Sequence, residues 1–220
     1  MKRLLIPFFA ALLLIAKQSH AQQPPFADDI KAFKKQDSIA PPPANAILFV
    51  GSSSFTKWKE VQDDFPGYTI INRGFGGSSL PDVIRYADQI IIPYKPKQIV
   101  IYCGENDLAA SDTVSGETVI ARFKHLFQII RKAYPKVPVA FISLKPSPSR
   151  ARLIPKMQVA NEGIKKFLQQ QRNTKFIDVY HKMLQPNGEP MPGIFVQDNL
   201  HMNHKGYAIW IEAIRPHLLK

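Results

Sequence analysis

The chain has 220 residues, 45% of them hydrophobic, and a formal net charge of +12 at neutral pH. That is room for one sizeable core and not for two comfortable domains. The charge invites a nucleic-acid or anionic-surface reading, but the Lys and Arg residues are scattered over predicted helices and loops, so a solvated surface and no nucleic-acid partner are expected.

"MKRLLIPFFAALLLIAKQSHA" opens with Lys2 and Arg3, continues as an apolar run from Leu4 to Ala16, and ends with small residues at Ser19 and Ala21. This predicts a secretory signal peptide over 1–21, cleaved after Ala21. The run is shorter than the roughly 18 apolar residues that a membrane span needs, and no second one follows, so export without stable membrane insertion is expected, to the periplasm or the medium. The cations Lys2, Arg3 and Lys17 lie in that segment and no acid does, which leaves +9 on the remainder. An anionic substrate such as an acidic polysaccharide stays open. Cys103 is the sole cysteine, so no internal disulfide can form; at the end of "QIVIYC" it reads as a buried structural thiol.

Residues 22–45 form an N-terminal segment. Phe26, Ile30 and Phe33 share a helical spacing, and "APPPANA" makes a stiff extended connector. From 46 to 220 short apolar runs alternate with helical patterns. The predicted strands are 46–50, 68–72, 98–103, 137–144 and 175–180. Leu80, Val83, Ile84, Ala87 and Ile91 mark one helix, Val119 to Ile130 a second, Ile154 to Leu168 a third, and 203–218 the last. Helical pattern also resumes at Trp58 and Val61. Unbroken apolar strands separated by helices predict an α/β fold with a parallel sheet covered on both faces. The region 181–200 reads as a loop.

Ligands in such a sheet bind beyond the carboxyl ends of the strands. Those ends carry "GSSS", "RGFGGSS", "GENDL", "KPSPSR" and the loop ending "QDNLH". A serine is a poor nucleophile until a base takes its proton, and the base needs a carboxylate to hold its tautomer. His201 is the favoured base, because Asp198 stands three residues before it, a separation that one short turn closes. His125 falls inside a helix, His181 has no spaced acid after it, and His204 and His217 fall near the two ends of the last helix. The glycines of "RGFGG" can present an N–H to an oxyanion. The Asn106 amide is a neutral donor, with Asp107 as the expected cap of its helix. "GSSSF" lacks the second glycine of the G-x-S-x-G elbow. A helix N-terminus at this turn favours developing negative charge.

The blocks "GSSS", "GFGG", "GEND" and "DNLH", in that order, resemble those of the SGNH hydrolases, the GDSL-like lipase and acylhydrolase family, over roughly 46–219. The resemblance implies a flavodoxin-like three-layer α/β/α sandwich with a five-stranded parallel sheet and no metal or organic cofactor. By position it implies Ser53 as nucleophile, His201 as base and Asp198 as its orienter, with the Ser53 N–H, the Gly77 N–H and Asn106 forming the oxyanion hole. Ser52 stands where relatives commonly carry an aspartate. The implied activity is a serine esterase working through an acyl-enzyme. Export and polar loops favour a small acyl group, acetyl above all, on a carbohydrate, so the expected partner is a small-molecule or polysaccharide ester. The alternatives are a lysophospholipase or thioesterase, an acetyltransferase, and a carbohydrate-binding module that has lost its chemistry. Arg73, Lys145, Arg150 and Arg152 are candidate substrate contacts.

Overall fold

The computed structural model describes residues 23–220; the predicted signal peptide lies outside the described residues. Strands β1 (Ile47–Gly51), β2 (Ile70–Gly74), β3 (Gln98–Tyr102), β4 (Val139–Ile142) and β5 (Thr174–Ile177) form one parallel sheet in the order β2-β1-β3-β4-β5. Every residue of β1, β3 and β4 is buried, as continuous Val/Ile/Phe runs in a two-sided sheet must be. The helices are α1 (Ala27–Ile39), α2 (Ser53–Thr56), α3 (Leu80–Arg85), α4 (Ala87–Ile90), α5 (Glu105–Ala110), α6 (Gly116–Ala133), α7 (Ile154–Gln169) and α8 (His204–Ile214).

The two faces of the sheet have separate aromatic cores. On one, Trp210 of α8 packs against Phe55, Trp58 and Tyr102, and Phe49 of β1 packs against Phe55, Trp58 and Phe65. On the other, Phe141 of β4 meets Phe123 of α6, which also meets Phe167 of α7. The result is the expected three-layer α/β/α sandwich in flavodoxin-like strand order, whose switch point lies between β1 and β3.

Several boundaries differ from the sequence reading for local reasons. The 137–144 run yields only four strand residues. Pro138 has no N–H to give the ladder, and after a last backbone bond from the Ser143 N–H to the Ile177 carbonyl at 2.9 Å, the Val179 and Tyr180 N–H groups turn to the Ser143 hydroxyl, both at 2.9 Å. The 80–91 pattern is broken at Tyr86, whose φ of −106° and ψ of 8° part α3 from α4. The helix predicted through Trp58 and Val61 is absent: α2 is one turn, and 57–67 follow as irregular turns and a bend. Trp58 is nonetheless buried, its Nε1–H donating to Asp64 at 2.6 Å. Phe26 is not helical but precedes α1 at φ 67°, edge-on to Phe75 with centroids 5.3 Å apart.

Candidate active site

Strand β1 delivers the serines. Gly51 lies opposite Tyr102 of β3 at φ 149°, and a Cβ there would stand 1.9 Å from the Tyr102 carbonyl oxygen, so only glycine lets the chain pass. Ser52 then donates its N–H to that same oxygen at 3.1 Å, and Ser53 opens α2. With a single turn behind it, the macrodipole expected at this serine is small; the local electrostatics come from individual N–H groups.

His201, the predicted base, arrives from the loop before α8. Phe195 and Met202 pair as an antiparallel bridge, and Val196 N–H donates to the His201 carbonyl at 2.8 Å. Asn199 at the tip takes φ 52°, a conformation asparagine tolerates better than most residues. Asn203 then caps α8 by accepting from the Lys205 and Gly206 N–H groups. Inside this clamp Asp198 Oδ1 accepts the Leu200 and His201 N–H groups, both at 2.9 Å, and Asp198 Oδ2 lies 2.6 Å from His201 Nδ1. His201 Nε2 lies 2.9 Å from Ser53 Oγ. Desolvation works against the Asp198 charge, but the donors from His201 and Leu200 outweigh it and hold the carboxyl at about 2.

The remaining donors gather at the same strand ends. Asn106, in the first turn of α5, directs Nδ2 to Ser52 Oγ at 3.1 Å and to the Ser78 carbonyl at 3.0 Å, and the Ser53 N–H also points to Ser52 Oγ, at 2.6 Å. Gly77, one residue before Ser78, takes φ 85°. Its turn is tied to β1 because the Phe75 N–H and the Ser78 hydroxyl both donate to the Gly51 carbonyl. The structure thus brings Ser53, His201 and Asp198 into one hydrogen-bonded chain at the carboxyl edge of the sheet, with Asn106 bonded to the adjacent Ser52 and to Ser78, the residue after Gly77.

Other expectations are corrected. Asp107 does not cap α5, a place Gly104 takes. It is buried, accepts the Leu80 N–H of α3 at 2.9 Å and pairs with Arg122 at 2.8 Å. Arg73 is a clamp for α1: it pairs with Asp37, donates to the Tyr94 hydroxyl at 2.6 Å and lies over the Phe33 and Tyr94 rings. Burial and the Asp37 hydrogen bond push the Tyr94 hydroxyl up to about 12. Arg152 pairs at the surface with Asp112. Lys145 is 1% exposed and pairs with buried Glu105 at 2.8 Å, while Tyr102 and Ser147 also donate to that carboxylate. This cluster was missed; its signals were a lysine directly after a buried strand and an acid inside "GEND". Cys103 is buried as expected, and burial, with Asp107 nearby, drives its thiol well up, away from reactivity.

His181 has no spaced acid after it, yet it has one before it. Asp178 repeats the Asp198 geometry, with Oδ1 accepting the His181 N–H at 3.1 Å and Oδ2 at 2.6 Å from Nδ1. The pair borders a cavity of about 250 Å³ lined also by Gln158, Phe176 and Tyr180. Among the described residues no serine hydroxyl is hydrogen-bonded to its ring. Among the described residues no group of three His, Cys, Asp or Glu side chains converges as for a metal, and no helix is long and apolar enough to cross a membrane.

A Ser–His–Asp hydrogen-bonded chain at the carboxyl end of a parallel sheet in 2-1-3-4-5 order defines a hydrolase of the SGNH type. The model of the GDSL-like lipase/acylhydrolase family matches residues 38–209, and the chain belongs to that family. Among solved structures, a GDSL-like lipase from Bacteroides thetaiotaomicron is similar at 19% identity with a TM-score of 0.73, covering 85% of this chain and 95% of that one. A proposed acylhydrolase from Bacteroides fragilis is similar at 20% identity and 0.73, covering 84% and 93%. An acetyl esterase mutant holding acetate is similar at 15% and 0.60, covering 78% and 94%. No curated protein sequence matches the chain.

Proposed function

We propose that the protein is an exported serine esterase that removes a small acyl group, acetyl above all, from a carbohydrate through an acyl-enzyme. The carrying observation is the relay in which His201 Nε2 lies 2.9 Å from Ser53 Oγ while Nδ1 lies 2.6 Å from Asp198. In this reading His201 takes the Ser53 proton as the hydroxyl attacks the ester carbonyl, then returns it to the departing alcohol. Water repeats the cycle on the acyl-enzyme. Asp198 fixes the tautomer that leaves Nε2 free to accept, and stays ionised throughout.

The oxyanion of the tetrahedral intermediate is received by the Ser53 and Gly77 N–H groups and Asn106 Nδ2. Two of these donors already converge on one oxygen, that of Ser52, which rotation about its Cα–Cβ bond can withdraw as the ester carbonyl enters. A small acyl group is supported by the Phe26 ring, which stands 3.8 Å from where a Gly77 Cβ would be and closes that side of the turn. The resemblance to a fold that holds acetate in an acetyl esterase points the same way. The polar 181–200 loop and the leader-like N-terminus support an exported enzyme acting on a hydroxyl-rich alcohol.

Purified protein is expected to hydrolyse p-nitrophenyl acetate and to be labelled by an organophosphate. Ser53→Ala is expected to abolish both, with Ser52→Ala and Ser54→Ala keeping most turnover. A dead Ser52→Ala variant beside an active Ser53→Ala one would move the nucleophile by one residue. Acetate release from acetylated xylan should exceed hydrolysis of long-chain p-nitrophenyl esters and of lysophospholipid; the reverse ranking would overturn the substrate class. The N-terminus of the exported form should be Gln22.

A further inference from the structure

Arg150 closes the short 3-10 turn entry after β4 and reaches back across the sheet edge. Its Nη1 donates to the Glu105 carbonyl at 3.3 Å and its Nη2 donates to Asn106 Oδ1 at 3.2 Å. The same Asn106 amide donates from Nδ2 to Ser78 O and Ser52 Oγ. A primary amide has two orientations that differ by exchange of oxygen and nitrogen. In the flipped one, Oδ1 would face the Ser78 carbonyl and Nδ2 would face a guanidinium, so two like poles would meet at each end. Ser78 O and Arg150 therefore select the same orientation from opposite sides, and Arg150 does so with a full charge. A cation at the carbonyl end also withdraws density from the amide nitrogen and strengthens its N–H as a donor.

We infer that Arg150 is a positioning residue for the reaction: it holds and polarises the Asn106 amide so that Nδ2 serves the oxyanion, without touching substrate. The residue before it strengthens the assignment, since Ser149 N–H donates to the Asn199 carbonyl at 3.1 Å, in the loop that carries Asp198 and His201. The segment "PSPSR" thus links the proton-transfer loop to the oxyanion amide. The inference rests on the reading of Asn106 as an oxyanion donor, and a double-mutant cycle separates the two.

With p-nitrophenyl acetate, Asn106→Ala is expected to lower kcat about 10²- to 10³-fold, the size of one oxyanion donor. Arg150→Ala should lower kcat about 10- to 10²-fold with KM within about threefold, and Arg150→Lys, a point charge without the fork, should fall between wild type and Arg150→Ala. In the Asn106→Ala background neither Arg150 change should cost more, because a group acting through the amide has nothing left to act on. Losses that multiply, or that appear in KM, would overturn the inference and leave the oxyanion reading intact. A silent Asn106→Ala would overturn both. Should Arg150→Ala fail to fold, the Arg150→Lys arm of the same cycle decides, its loss again expected to vanish beside Asn106→Ala.

Discussion

Lys145→Met tests whether the buried ion pair beneath the site carries the weight its geometry implies. Lys145 and Glu105 are 1% and 6% exposed at their side chains and 2.8 Å apart. Removing one partner of such a pair strands a buried charge, at a cost of about 3–5 kcal/mol. Glu105 would keep the Tyr102 hydroxyl at 2.6 Å and the Ser147 hydroxyl at 3.2 Å, which places the cost at the lower end, about 3 kcal/mol. For a chain of this size that is a fall of roughly 6–12 °C in Tm. The double variant Lys145→Met, Glu105→Gln leaves no charge to strand and should recover most of the loss. The pH dependence has a fixed sign. Desolvation raises the Glu105 pKa, but the Lys145 charge and hydrogen bond, the Tyr102 hydroxyl and the Arg150 charge outweigh it and hold the carboxyl below its ordinary 4.5. A depressed carboxyl stabilises the fold above the ordinary carboxylate range and ceases to do so as pH falls through its folded value. In Lys145→Met desolvation is no longer outweighed by the lysine and that value rises, so the stranded charge costs most at neutral pH and the Tm gap to wild type should narrow as falling pH protonates Glu105. Calorimetry across pH 4–8 on wild type, Lys145→Met and the double variant measures this. A Tm change below about 2 °C in Lys145→Met, or a double variant less stable than Lys145→Met, would refute the reasoning.

Two further expectations concern the bases. Because Asp198 titrates at about 2 rather than at 3.8, its charge is present above the ordinary carboxylate range and lost only as pH falls through about 2; an acid limb in kcat/KM with a midpoint near 3.8 that disappears in Asp198→Asn would refute this, while Asp198→Asn itself should cost about 10³-fold or more at neutral pH. His181→Ala should leave hydrolysis of p-nitrophenyl acetate within about twofold of wild type while His201→Ala abolishes it, and steady-state kinetics showing comparable losses would mean that the second dyad takes part.

The sheet was legible because burial on both faces writes itself as unbroken apolar runs, and "AILFV" and "QIVIYC" have no other easy home. Strand limits were less legible because they depend on who receives each N–H. Ser143 takes two that the pattern assigned to a ladder, and Pro138 offers none. Trp58 and Val61 suggested a helix through spacing alone, but both are buried from within turns, since burial fixes where a side chain goes and not the backbone that brings it. The basic residues were the least legible. Arg73, Lys145 and Arg150 all follow or precede strand ends, and nothing local announces that one clamps α1, one neutralises Glu105 and one holds an amide. Each partner lies 36 to 44 residues away in the chain.

Asp178 and His181 show how far a motif can carry an assignment. "DVYH" and "DNLH" make the same Asp–His pairing, with the same 2.6 Å contact to Nδ1, although Asn199 takes φ 52° and the Val179 and Tyr180 N–H groups turn to Ser143. The pairing follows from spacing: an Asp accepts the N–H three residues on, and its second oxygen then meets the ring. Two imidazoles are therefore oriented, and orientation alone makes neither a base for Ser53. The difference is a contact spanning 148 residues, and it is built by structure outside either motif. The Phe195–Met202 bridge stiffens the loop, Asn203 starts α8 two residues after His201, and the Tyr207 hydroxyl one turn later donates to the Ser54 carbonyl at 2.8 Å. That last bond fastens the helix that follows His201 to the turn carrying the serine. His181 leads instead into a 3-10 turn whose Met183 receives the Trp210 N–H at 3.4 Å, so its ring stays outside, 77% exposed, beside its own cavity. The functional information in "DNLH" is thus its place before α8, which no tetrapeptide encodes.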